Sequence, residues 1–128
     1  MRRILIIGSG GREHAIAWAL RNTSSEPVEI YCAPGNAGIA QTASIVDISV
    51  NDHAGLADFA RAENIDLTFV GPEAPLAAGL VDRFTKTGLR SDGPGSAAAR
   101  LEASKIFAKD FMARHGIPTA AYRMGESP

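Results

Sequence analysis

Ile4-Leu5-Ile6-Ile7-Gly8-Ser9-Gly10-Gly11-Arg12-Glu13-His14-Ala15-Ile16-Ala17-Trp18-Ala19 is the stretch that decides the fold. A four-residue aliphatic run bounded by glycines suits a strand buried on both faces, as in a parallel sheet. Three glycines in four positions allow a sharp turn, and residues 12–19 are compatible with a helix. A helix that starts there points its unpaired N–H groups and positive dipole end at the turn, which makes the turn a candidate phosphate site. Gly8, Gly10 and Gly11 are therefore the first candidate binding residues. Arg12 is placed to add a charge-assisted contact, and Glu13 suits the first helical turn with or without a ligand.

A dinucleotide fingerprint is the obvious comparison, and the spacing argues against it. Gly8 and Gly10 supply the first two glycines of G-x-G-x-x-G, but Glu13 stands at the third. The acidic residue expected on the ribose about 20 residues further on is also missing. Tyr31-Cys32-Ala33-Pro34 occupies that place.

Outward from this stretch, the pattern alternates. A helix over about Arg12–Arg21 is expected to turn Ala15, Ile16, Trp18, Ala19 and Leu20 towards the sheet. Val28–Cys32 reads as a second strand, followed by Pro34-Gly35-Asn36-Ala37-Gly38, a loop whose residues tolerate left-handed geometry. Ser44–Ile48 reads as a third strand, with Asn51 or Asp52 capping a helix that carries Leu56, Phe59 and Ala60. Ile65–Val70 is the fourth strand. It breaks at Gly71-Pro72-Glu73-Ala74-Pro75, and one helix through Leu76, Leu80, Val81 and Phe84 is expected to stop near Gly88, with Pro75 in its first turn. Leu89–Asp92 is poorly apolar and reads as an edge strand or irregular segment. Ser96 and Ser104 are candidate caps for helical stretches up to Arg114, which Gly116 and Pro118 end. Thr119–Met124 is expected to begin another strand that has no partner before Glu126-Ser127-Pro128, so Gly93 onward reads as the entrance to a further domain.

Strands alternating with helices imply right-handed crossovers and an α/β fold, an open, mostly parallel sheet with helices on both faces. Ligands then bind beyond the carboxyl ends of the strands at the switch point, where the turns at Gly8–Gly11, Pro34–Gly38 and Gly71–Pro75 should converge.

The chain has 128 residues, 45% hydrophobic and 21% charged, with a formal net charge of -1. That is the size and composition of one globular core. It gives no reason to expect nucleic acid or an anionic membrane as partner. A lone cysteine, Cys32, makes neither an internal disulfide nor a cysteine-based metal site. Met1-Arg2-Arg3 leads straight into the first strand without a signal-peptide core, and a cytoplasmic location is expected. No carboxylate pair suggests acid–base catalysis, and His14, His53 and His115 are assigned no chemistry.

Four motifs, Gly8-Ser9-Gly10-Gly11-Arg12-Glu13-His14-Ala15, Ala33-Pro34-Gly35-Asn36-Ala37-Gly38, Asp66 through Leu76, and Leu101-Glu102-Ala103-Ser104-Lys105, occur in the order found in glycinamide ribonucleotide synthetases. The chain resembles the amino-terminal part of that family over essentially its whole length. The resemblance implies a Rossmann-like domain preceding an ATP-grasp domain, with residues 1–92 forming the substrate domain and residues 93–128 the linker and first helical segment of the ATP-grasp domain. It implies a ligase of purine biosynthesis that uses ATP and magnesium, or manganese, to join glycine to 5-phosphoribosylamine. The nucleotide clamp and metal ligands would lie beyond position 128, and the chain alone would be inactive.

The same resemblance assigns Gly8, Gly10, Gly11 and Arg12 to the phosphoribosyl group and Glu13 to the same loop. It makes Pro34, Gly35 and Asn36 a second substrate loop, with Asn36 set to bond a ribose hydroxyl. Glu73 would hold the substrate amine or a ribose hydroxyl, or else cap the Pro75 helix. Lys105 would face nucleotide phosphates, or else form a solvated pair with Lys109. A monomer is favoured. Where the family carries an apolar pair before Gly-Pro, this chain has Ser91-Asp92, which weakens the expected fifth strand. The alternatives are a free-standing nucleotide or phosphosugar-binding module and a nicotinamide oxidoreductase, the latter in conflict with Glu13.

Overall fold

The computed structural model describes residues 1–125. Glu126, Ser127 and Pro128 lie outside the described residues. The described part contains five strands, β1 (Arg2–Gly8), β2 (Val28–Pro34), β3 (Ser44–Ile45), β4 (Leu67–Val70) and β5 (Ser91–Asp92). They form one sheet in the order β3-β2-β1-β4-β5, every pair parallel. The order reverses between β1 and β4, so the switch point lies beside Gly8. The expected α/β architecture is the one observed, with the sheet wholly parallel.

β1 lies at the centre, and its alternation assigns the two layers. Ile4 and Ile6 face α1 (Gly11–Thr23) and the short 3-10 turn Ile39–Gln41, packing with Ala17, Ile30, Cys32 and Ile39. Leu5 and Ile7 face α2 (His53–Ala62) and α4 (Leu80–Lys86), packing with Leu56, Ala60, Leu80 and Phe84. Period-2 side-chain alternation makes one strand serve both layers, which is why Ile4–Ile7 is apolar without a break. On the second layer the Tyr31 and Phe59 rings meet edge to face at 5.4 Å.

Several boundaries differ from the expectation. The inward face of α1 is Glu13, Ile16, Ala17 and Leu20, while Ala15 and Trp18 point outward, Trp18 being 58% exposed. Docking of the buried Glu13 sets the rotation of the helix, and Trp18 falls on the opposite side. The third strand stops at Ile45 and the fourth starts at Leu67. The helix after β4 is two helices, α3 (Glu73–Ala77) and α4, interrupted at Gly79. Asp52, not Asn51, caps α2, its carboxylate accepting from Gly55 N–H at 2.9 Å. Ser91-Asp92 does pair with β4, as an edge strand.

The segment from Ser96 differs in kind. α5 (Ser96–Ala103) packs on α3 and α4, where Ala99 meets Leu76 and Val81. Its first turn is capped by Asp82 of α4, which accepts from Ser96 N–H at 2.9 Å, so Ser96 is the first helical residue and not the cap. Ser104 does cap α6 (Lys105–Arg114), accepting from Phe107 N–H at 3.2 Å. α6 packs chiefly on α5 and buries none of its residues fully. Thr119–Met124 is not a strand. It folds back along α6, with the Tyr122 hydroxyl donating to the Lys109 carbonyl at 3.1 Å and Lys109 Nζ to Thr119 Oγ1 at 2.6 Å. No helix among the described residues is long and apolar enough to cross a membrane.

Candidate functional site

The three turns expected to converge do so through hydrogen bonds. Gly35 N–H donates to the Gly8 carbonyl at 3.0 Å and Gly71 N–H to the Ile7 carbonyl at 3.0 Å. Asn36 Nδ2 donates to the Ser9 carbonyl at 2.7 Å, while its Oδ1 accepts from Ile39 N–H at 2.9 Å. Arg12 Nη1 donates to the Gly71 carbonyl at 2.8 Å. The β1–α1 turn is thereby tied to the β2 loop on one side and to the β4–α3 turn on the other. Gly8, Gly10, Gly11, Arg12, Glu13, Pro34, Gly35 and Asn36 stand together on this edge. The peptide before Pro34 is cis.

The glycines serve separate needs. Gly8 has φ +133°, a region hostile to side chains, and a Cβ there would meet Glu13 Cγ and Cδ at 2.7 Å. At Gly71 a Cβ would meet Glu13 Cγ at 3.0 Å and its carboxylate closer still. Both positions stay bare because Glu13 fills the space. Glu13 is 5% exposed, and its Oε2 accepts from Gly10 N–H at 2.7 Å, the returning half of a capping box. The helix N-terminus favours this negative charge.

Two consequences bear on ligand binding. The Gly10 amide is already engaged, so the donors left at the start of α1 are those of Gly11, Arg12 and Glu13, which have no partner within the helix. Gly11 and Arg12 are both exposed. Beneath the turn lies the buried Cys32, whose thiol points at the Gly8 carbonyl, 3.5 Å from Sγ. Burial first, and the Glu13 charge second, push its pKa up from an ordinary value of 9.0 to about 11, so the thiol is neutral at physiological pH.

Glu73 opens α3 in the turn next to Gly71, exposed and without an ion pair among the described residues. Lys105 is not brought to this edge: it begins α6, exposed. Among the described residues no cluster of three or more His, Cys, Asp or Glu side chains could hold a metal ion. Gly71 and Ser9, which the sequence places in the converging turns without a role of their own, join those turns through their backbone atoms.

Residues 2–102 match the family model described as phosphoribosylglycinamide synthetase, N domain. The chain is 57% identical over 122 residues to a phosphoribosylamine–glycine ligase from Allochromatium vinosum, covering 94% of this chain and 28% of that protein. It is 52% identical over 128 residues to the trifunctional purine biosynthetic protein adenosine-3 of Gallus gallus, covering 98% of this chain and 13% of that protein. Among solved structures, phosphoribosylamine–glycine ligase from Thermotoga maritima superposes with a TM-score of 0.64 at 30% identity, over 93% of this chain and 26% of that one. N5-carboxyaminoimidazole ribonucleotide synthetase from Thermus thermophilus shares the fold, with a TM-score of 0.68 at 21% identity. The chain thus spans between an eighth and a third of the length of these relatives. With most of its length matched by the family model, the chain belongs to the phosphoribosylglycinamide synthetase N-domain family.

Proposed function

We propose that this chain is the phosphoribosyl-binding part of an ATP-dependent ligase that joins 5-phosphoribosylamine and glycine, giving glycinamide ribonucleotide, ADP and phosphate in purine biosynthesis. The observation that carries the reading is the hydrogen-bonded convergence of three turns at the switch point of the sheet. In this reading the exposed amides at Gly11 and Arg12 receive the phosphate, with Gly8 and Gly10 shaping the turn. Asn36, held by Ser9 and Ile39, keeps one amide hydrogen for a ribose hydroxyl, and Pro34 and Gly35 set the floor of its loop. Glu73, unpaired at the mouth of β4, faces the amine.

ATP and magnesium act in the same reading on the glycine carboxylate, activating it for attack by the substrate amine. Most of their ligands belong, in this reading, to other parts of the polypeptide. Lys105, on α6, is the residue here assigned to nucleotide phosphates. Residues 1–92 form the substrate unit and residues 93–128 lead into the nucleotide unit, with α5 docked on the first. The partners are small molecules, the location is cytoplasmic, the complete enzyme is a monomer, and this chain alone does not turn over.

Amide-resolved NMR titration with glycinamide ribonucleotide tests the reading. Shifts concentrated at residues 8–12, Asn36 and Glu73 are expected. Absence of shifts at millimolar ligand, both in this chain and in the complete polypeptide, overturns it.

A further inference from the structure

We propose that Glu13 is the positioning residue of this site and the residue that decides which phosphate the site accepts. The proposal rests on the phosphoribosyl reading above for its ligand, but its geometry stands independently. Glu13 occupies the place where a dinucleotide fingerprint carries its third glycine. In that fingerprint the third glycine lets the helix pack closely on the strand, and the second, here Gly10, lets the backbone approach the pyrophosphate. Here a carboxylate lies between helix and strand and takes the amide of that second glycine. The Glu13 side chain lies against Gly8, the last residue of β1, and Gly71, the residue after β4, and its Oε2 takes the Gly10 N–H at 2.7 Å.

Three effects follow from one side chain. The carboxylate removes the Gly10 amide from the set of donors a ligand can use. Its negative charge, on a residue 5% exposed, repels a second phosphate running across Gly8 towards Gly71. Its packing, with the Arg12 guanidinium on the Gly71 carbonyl, fixes the distance between the β1–α1 and β4–α3 turns. A phosphate monoester at the outer amides of Gly11 and Arg12 meets none of these obstacles. Glu13 therefore selects a monoester over a diphosphate bridge without touching the ligand.

Glu13→Gln and Glu13→Ala test this in the 15N-labelled chain, with ribose 5-phosphate and ADP-ribose as probes. The Gly10 amide resonance, downfield in the native protein through its bond to a carboxylate, should move upfield in Glu13→Gln and further in Glu13→Ala. Glu13→Gln keeps the shape and an acceptor oxygen, so its ribose 5-phosphate affinity should stay within about threefold of native, while that for ADP-ribose rises. Glu13→Ala should lose about tenfold or more in ribose 5-phosphate affinity and lose the preference over ADP-ribose. Equal losses in Gln and Ala variants would make Glu13 a ligand contact and overturn the proposal, as would a Gly10 resonance that does not move. If Glu13→Ala does not fold, the Gln variant decides by its Gly10 shift and its selectivity. Binding of neither probe, by the native chain and by the complete polypeptide alike, overturns the phosphoribosyl reading and the selectivity together, while the Gly10 resonance still judges the positioning role.

Discussion

The body of the molecule, up to Asp92, and the segment after it solve the problem of apolar surface in opposite ways. In the body, β1 is covered on both faces and Leu5, Ile6, Ile7, Leu56, Leu80 and Phe84 are wholly buried. In the segment, Leu101, Ile106, Ile117, Tyr122 and Met124 remain exposed, and α6 buries nothing fully. α5 packs the segment onto the body, through Ala99 and the Asp82 cap. By burial, then, the two layers of the sheet close over their apolar residues, while α6 leaves Ile106 exposed and buries nothing fully.

The strongest way to break this contrast is to remove one large aromatic ring from each region. Phe84→Ala leaves a cavity between α4 and the centre of the sheet and should cost about 3–5 kcal/mol. Phe111→Ala, which removes a half-buried ring resting on Phe107 and His115, should cost under about 1 kcal/mol. Urea unfolding followed by circular dichroism measures both, and similar losses would show that the two regions form one cooperative unit.

The second test uses the buried thiol. Because Cys32 ionises near 9 when unfolded and near 11 when folded, the folded state holds its proton more tightly. Stability from this source is fully present below about pH 9 and is lost as pH rises towards about 11, a total of about 3 kcal/mol. Tyr31, raised above its ordinary value of 10.0 by burial and by Glu29, adds a slope of the same sign. The difference between native protein and Cys32→Ala isolates the thiol. The variant should show a flatter fall in stability across that window, and an unchanged slope would refute the assignment.

Much of this was legible in the sequence, and the exceptions have physical reasons. The strand-turn-helix at Ile4–Ala19 could be read because an unbroken aliphatic run and clustered glycines are local signals. Convergence of the three turns followed from the parallel topology alone. The role of Glu13 was not legible, since it depends on Gly71, 58 positions away, presenting no side chain. The inward face of α1 was misread for the same reason: large apolar residues suggested Trp18 inward, whereas a buried, capping carboxylate set the rotation. The fold-back of Thr119–Met124 was hidden because its β-compatible residues find partners on α6, through Lys109 and Tyr122, rather than in a sheet.

A smaller effect sharpens the picture of the body. Thr68 sits on β4 at 1% exposure, opposite Leu5, and its Oγ1 finds no hydrogen-bond partner among the described residues. A buried, unmade hydrogen bond costs about 1–3 kcal/mol. Thr68→Val keeps the branched shape and removes the orphan oxygen, so stability should rise by about 1 kcal/mol in urea unfolding. A loss of similar size would mean that the hydroxyl is satisfied in solution.

The smallest effect falls at the junction and decides how the two regions communicate. Asp82 is held below the ordinary aspartate range by the Ser96 hydroxyl and backbone N–H, so folding favours its charged form. A depressed carboxyl contributes at neutral pH, and the contribution disappears as pH falls below the ordinary aspartate value and through the lowered one. Since the bond caps α5 rather than the sheet, acid should loosen the docking of α5 before it unfolds the body. The amide resonances of Ala99 and Arg100 should therefore shift with pH in the native protein at a point where those of β1 do not. Asp82→Asn should abolish that early acid step, and Asp82→Ala should fray α5 at every pH while the body's unfolding midpoint hardly moves. If β1 and α5 respond together, the cap is part of the core, and the division between the two regions must be drawn after α5.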